Sequence, residues 1–173
     1  MTEVCDWSER LDSSYTKDEA LIFESPILME AYTAWEHLGG IPARSQFTPR
    51  SSKAFLGNLI IFEQHESTFR IRLMGTRVSC VLGEMQGKLL PDAVPPDVVA
   101  RWQDSLSEVI ANRKPTRAVK TVSFNDLHYL AAELFLAPLL DGTGELTMVF
   151  AVVAFRMGVA PSHQLGDLIA ASR

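Results

Sequence analysis

Two cysteines, Cys5 and Cys80, are all that the sequence holds, and neither CxxC spacing nor a neighbouring histidine pattern accompanies them. That excludes a disulfide framework and makes a reducing cytoplasm the default location. The four histidines, His37, His65, His128 and His163, stand far apart, none at HxxxH spacing, so no metal site is expected. Long apolar runs are also lacking. The longest, Met148 to Phe155, falls well short of the ~20 residues a membrane helix needs, and the polar, acidic N-terminus has no signal core. Positive charge is scarce as well: the formal net charge is −5. Basic residues are scattered over two solvated stretches, Arg70, Arg72 and Arg77, then Arg113, Lys114, Arg117 and Lys120. Neither nucleic acid nor a membrane is therefore an expected partner. No GxSxG elbow, Walker loop or dinucleotide fingerprint occurs, so an enzyme is not expected.

What is present is a chain of 173 residues, 47% hydrophobic, long enough for one domain with extensions. Three regions are read: a polar N-terminal extension over 1–24, a domain over 25–157 and a C-terminal tail over 158–173. In the extension, Trp7, Leu11 and Tyr15 are spaced four apart. They form either one helical stripe or incidental apolar residues of a frayed terminus. Ser25 to Leu38 is the first helix, with Ser25 as N-cap, Pro26 at the first helical position and Gly39-Gly40 as the stop. Leu28, Ala31, Tyr32, Trp35 and Leu38 share a face, which either packs on a sheet or meets a second subunit.

The stretch from Phe69 to Asp92 organises the rest. Phe69, Ile71 and Leu73 alternate with Arg70 and Arg72, the period of a half-buried strand. Gly75 breaks it, and Val78, Val81, Leu82 and Met85 follow at helical spacing, punctuated by Gly83 and Gly87. A strand thus leads into a small helical cap. Before it, Leu59 to Glu63 reads as a strand covered on both faces, joined through a turn at Gln64 to Ser67. After it, a long helix runs from Pro95-Pro96 to about Asn112, its stripe formed by Val98, Val99, Trp102, Leu106, Val109 and Ile110. Three strands close the domain: Thr116 to Phe124, His128 to Ala137 and Leu146 to Phe155. Turns at Asn125-Asp126 and Asp141-Gly142-Thr143-Gly144 separate them.

Short turns imply antiparallel pairing. The order of elements, with Arg44 to Arg50 (RSQFTPR), Leu59 to Glu63, Phe69 to Thr76 (FRIRLMGT), Gly83 and Gly87, resembles the PAS-type family of short alphaproteobacterial proteins. The resemblance covers about residues 25–156. It implies an α+β, PAS-like fold: a five-stranded antiparallel sheet with helices on one face and an N-terminal helix. It also implies a sensory or regulatory module that binds a small ligand, a partner protein or both. With no kinase, DNA-binding or cyclase region after the sheet, such a module is expected to signal by binding an unidentified partner protein.

The lining expected for a cavity between cap and sheet is Phe62, Leu73, Val78, Leu82, Met85, Trp102 and Leu106, with Arg72 and Glu133 as polar candidates. Arg72 is either a solvated strand arginine or a hold on a carboxylate, from a ligand or from Glu63. Glu133 interrupts an apolar strand and is either exposed or a polar anchor within a pocket. No cofactor is specified. Cys80 lacks the Asn-Cys-Arg setting of flavin-binding light sensors and reads as a small buried hydrophobe. The cap offers no histidine to ligate haem, which leaves only His128 to consider. A ligand-free protein-interaction module is the alternative. A cone-shaped enzyme resembling ketosteroid isomerases would need an acid–base pair such as Tyr129 with Glu133. The strand Leu146 to Phe155 is apolar on both faces, so a homodimer is expected through Leu28, Tyr32 and Trp35 and the outer sheet face.

Overall fold

A computed structural model describes residues 11–18, 20–124 and 128–157. In chain order it contains β1 (Leu11–Asp18), α1 (Pro26–His37), β2 (Leu59–His65), β3 (Thr68–Met74), α2 (Thr76–Leu82), α3 (Leu90–Ala93), α4 (Pro96–Asn112), β4 (Thr116–Phe124), β5 (His128–Leu140) and β6 (Leu146–Met157). The strands form one antiparallel sheet in the order β1-β4-β5-β6-β2-β3. Strands β4-β5-β6-β2-β3 are the expected five-stranded sheet, with β2 and β6 adjacent and interior.

The sixth strand corrects the reading of the N-terminal extension. Leu11–Asp18 is neither a helical stripe nor a frayed end; it pairs with β4, from Asp18 opposite Arg117 to Leu11 opposite Val122, with an irregularity between Leu11 and Tyr15. Trp7 lies outside the described residues. The physical reason is the edge of β4, whose backbone donors and acceptors need partners that a polar strand supplies.

Both faces of the sheet are covered, and alternation along β2 and β6 sorts their buried residues between them. On β2, Ile60 and Phe62 face one core, while Leu59 and Ile61 face the other. On β6, Val149, Ala151 and Val153 face the first; Met148, Phe150, Val152 and Ala154 face the second. The inner face lies under α2, α3 and α4. The outer face lies under α1.

Helix α1 forms where the sequence places it. Pro26 opens it, Ser25 is the extended N-cap residue, and Leu28, Ala31 and Trp35 are buried. Burying Leu28 completely is worth about 1.5–3 kcal/mol. Trp35 donates its indole N–H to the Pro138 carbonyl at 3.1 Å, and its ring meets Phe135 edge-on. Tyr32 also packs edge-on against Phe135. Its hydroxyl donates to Glu36 Oε1 at 3.0 Å, and that carboxylate raises the phenol's pKa. The Ser25 side chain makes no cap hydrogen bond; the helix start is held otherwise, by Glu133.

Leu28 and Trp35 are therefore spent within the chain, while Tyr32 stays half-buried. This corrects the placing of those two residues in a dimer seam: Leu28 is 0% and Trp35 9% exposed on their own sheet, so neither reaches a second subunit without undocking α1.

Gly75 joins β3 to α2 and lies close against the backbone of the turn Leu56–Asn58. Its N–H donates to the Leu59 carbonyl at 2.7 Å. A Cβ built there would lie 2.4 Å from the Gly57 carbonyl oxygen and 2.5 Å from that of Leu56. Its φ of −70° is ordinary. Close backbone approach, not conformation, demands glycine here.

Candidate functional site

The inner face and its cap enclose an apolar cavity of about 50 Å³. The sheet contributes Ile60 and Phe62 from β2, Ile71 and Met74 from β3, and Ala132 and Leu134 from β5. Val153 and Phe155 complete that side from β6. The roof is Leu82 at the end of α2, Met85 in the following loop, and Leu90 and Val94 around α3. Helix α4 adds Val98 and Trp102, one turn apart on its buried stripe. The Trp102 ring rests on Phe62, centroids 5.2 Å apart.

The Met85 loop takes its shape from two glycines in left-handed conformations, Gly83 at φ 84° and Gly87 at φ 86°. It is sewn to the free edge of β3. Gly87 N–H donates to the Ile71 carbonyl at 2.7 Å, Ile71 N–H to the Lys88 carbonyl at 2.9 Å, and Met74 N–H to Gln86 Oε1 at 3.0 Å. These bonds satisfy the edge strand and hold Met85 inward, 7% exposed.

Of the expected lining, Phe62, Leu82, Met85 and Trp102 are brought together. Val78 and Leu106 are fully buried in the same core but do not border the cavity. Leu73 is a correction: it packs with the outer core. The cause is a bulge between β2 and β3. Ile61 pairs with Leu73 and Phe62 with Ile71, so Arg72 is the extra residue and the alternation resets after it. The other ten lining residues, among them Ile60, Ile71, Val98 and Val153, lie outside the expected set. Periodicity held the signal for Ile60, two before Phe62 on β2, and for Val98, one turn before Trp102; beside Ile71 on β3 and Val153 on β6 no correctly expected lining residue stands.

The polar candidates lie elsewhere. Arg72 does not border the cavity; its Nε sits 3.3 Å from Glu63 Oε2, the strand partner anticipated for it. Glu133 is neither exposed nor a pocket anchor. It is 2% exposed and points to the outer face, because it falls between Ala132 and Leu134, which face inward. Its carboxylate accepts from Arg117 Nε at 2.7 Å, Glu24 N–H at 3.0 Å and Ser25 N–H at 2.9 Å. Arg117 also lies 3.9 Å from Glu24. A charge-assisted cluster thus ties β4 and β5 to the start of α1. It leaves Glu133 turned away from the cavity, so Glu133 cannot act there as an acid or base. The Tyr129 and His128 side chains lie outside the described residues.

Cys80 is a further correction: it is a free, exposed thiol. Val78, buried at 0%, is the residue of α2 that faces the core, and two positions later the helix has turned by about 200°. No group of three or more His, Cys, Asp or Glu residues suited to a metal occurs among the described residues. No helix among them is long and apolar enough to cross a membrane.

Residues 23–154 match the PAS domain family. No curated protein matches the chain in sequence. Among solved structures, an RNA-binding light-oxygen-voltage receptor is similar at 11% identity with a TM-score of 0.50. The alignment covers 83% of this chain but 39% of that one. A light-oxygen-voltage domain studied with a flavin analogue is similar at 17% identity and a TM-score of 0.45, covering 70% of this chain and 93% of that one. A sensory box histidine kinase/response regulator from Burkholderia thailandensis is similar at 12% identity and a TM-score of 0.35, covering 68% and 88%. At such identities the likeness is one of fold alone.

Proposed function

The chain belongs to the PAS domain family, and on that premise we propose that it is a non-enzymatic sensory or regulatory module. Occupancy of the cavity between sheet and cap is its input. Its output passes through the outer face to a partner protein or a second copy of the chain. The observation that carries this reading is the division of labour between the two faces. The inner face keeps a void among apolar side chains, whereas the outer face is filled by α1 and locked by the Glu133–Arg117 cluster. Strands β5 and β6 belong to both cores, so a shift of the sheet under the cap is felt by α1.

A ligand-free interaction module is the second reading, and the small volume of the cavity favours it: about 50 Å³ against the ~300 Å³ at which drug-sized pockets begin. Native mass spectrometry of freshly purified protein, paired with sedimentation over a wide concentration range, separates the two. A retained small molecule that changes the association state supports the sensory module. A bare chain mass, with association unaffected by any added small molecule, supports the interaction module.

A further inference from the structure

We infer that the cavity under the cap selects a small, uncharged, apolar guest, such as a dissolved gas or a short hydrocarbon group, an inference that rests on reading this cavity as the sensory site. None of its fourteen lining residues carries a charge, and the indole of Trp102 is the one polar side-chain group among them. Of the charged side chains that neighbour the lining in sequence, Arg72 is committed to Glu63, Arg101 to Asp97, Glu84 to the Gln86 N–H, and Glu133 to Arg117 and the start of α1. The backbone offers little more, since the donors where the Met85 loop meets β3 are already bonded to the strand or to Gln86. A guest with a phosphate, carboxylate or amide edge would lose its water there and gain no partner.

Size narrows the class further. The cavity holds about 50 Å³, against roughly 10–15 Å³ for one water and about 150 Å³ for an engineered cavity that takes benzene. Water itself needs two to four polar partners, which these walls do not supply, so an apolar guest displaces nothing well held. The unbranched Met85 side chain can repack, which lets a slightly longer guest be followed.

The experiment uses the full chain, with xenon as the apolar probe and flavin mononucleotide and haemin as polar, larger ones, read by methyl NMR shifts. Xenon is expected to shift Ile60, Leu134 and Val153 saturably, leaving Leu139 and Val152 on the outer face unmoved. Ala132→Val, which fills the void, is expected to abolish those shifts. Val153→Ile serves the same purpose should Ala132→Val not fold. Xenon shifts that persist in a filled variant, or that fall on the outer face, overturn the inference. Binding of flavin mononucleotide or haemin at the inner methyls without xenon binding overturns the apolar class while leaving a ligand-binding module standing. No response to any probe removes both.

Discussion

Replacing Gly75 by alanine tests how the cap is mounted on the sheet. The added Cβ would sit 2.4 Å from the Gly57 oxygen and 2.5 Å from the Leu56 oxygen, where ordinary contacts begin at 3.4 Å. Both obstacles are backbone atoms, so no rotamer change relieves them. Either α2 or the turn Leu56–Asn58 must move by about 1 Å. A displacement of that size also stretches the 2.7 Å bond from Gly75 N–H to the Leu59 carbonyl. Overpacking costs about 1–3 kcal/mol and the lost hydrogen bond about 1 more, so a loss of roughly 2–4 kcal/mol is expected. For a chain of this length that is a fall in Tm of roughly 5–15 °C. Gly142→Ala is the control, because nothing lies within 4 Å of its Cβ and its φ is not left-handed; a change within about 0.5 kcal/mol is expected there. Urea and thermal unfolding followed by circular dichroism measure both variants. If Gly75→Ala unfolds together with Gly142→Ala, the close approach of the cap's start to the turn Leu56–Asn58 does not exist in solution.

Glu133→Ala strips Arg117 of a 2.7 Å ion pair and orphans the N–H groups of Glu24 and Ser25. With the two charged side chains only 3% and 12% exposed, a loss of ~3–5 kcal/mol is expected, with Glu133→Gln milder because its amide oxygen still accepts. Hydrogen exchange at Glu24 and Ser25 should quicken in step; a urea midpoint close to wild type would show that the cluster does not anchor α1. The Asp141 turn makes a prediction in pH. Its carboxylate accepts from the N–H and hydroxyl of Thr143, the N–H of Glu145 and the hydroxyl of Thr147, which lowers its pKa to about 2. The folded state thus holds this proton less tightly than the unfolded state. The turn's contribution is complete above the ordinary value of 3.8 and is lost as pH falls toward 2. A carboxyl-carbon titration should find a midpoint near 2, and one near 4 would refute the hydrogen-bonded turn.

Local chemistry wrote much of the fold into the sequence. Pro26 and Gly39-Gly40 bracket α1, Pro96 opens α4, and the double-sided apolar run of Leu146 to Phe155 marks an interior strand, because helix ends and burial on two faces constrain residues close together in the chain. Four of the cavity's fourteen lining residues were legible for the same reason: Phe62 and Trp102, for example, each lie on an apolar face that their own element repeats. Tertiary structure decided what depends on partners remote in sequence. The bulge at Arg72 arises from pairing with β2 and turned Leu73 to the other face. Glu133 reads as exposed until Arg117, 16 residues away, and the Glu24 and Ser25 amides, more than 100 away, converge on it. Strand β1 exists because β4 offers an open edge, a property of the assembled sheet that a polar stretch of serines and threonine does not announce. The volume left beneath the cap is a small difference between large packed volumes contributed by several elements, and no local pattern encodes it.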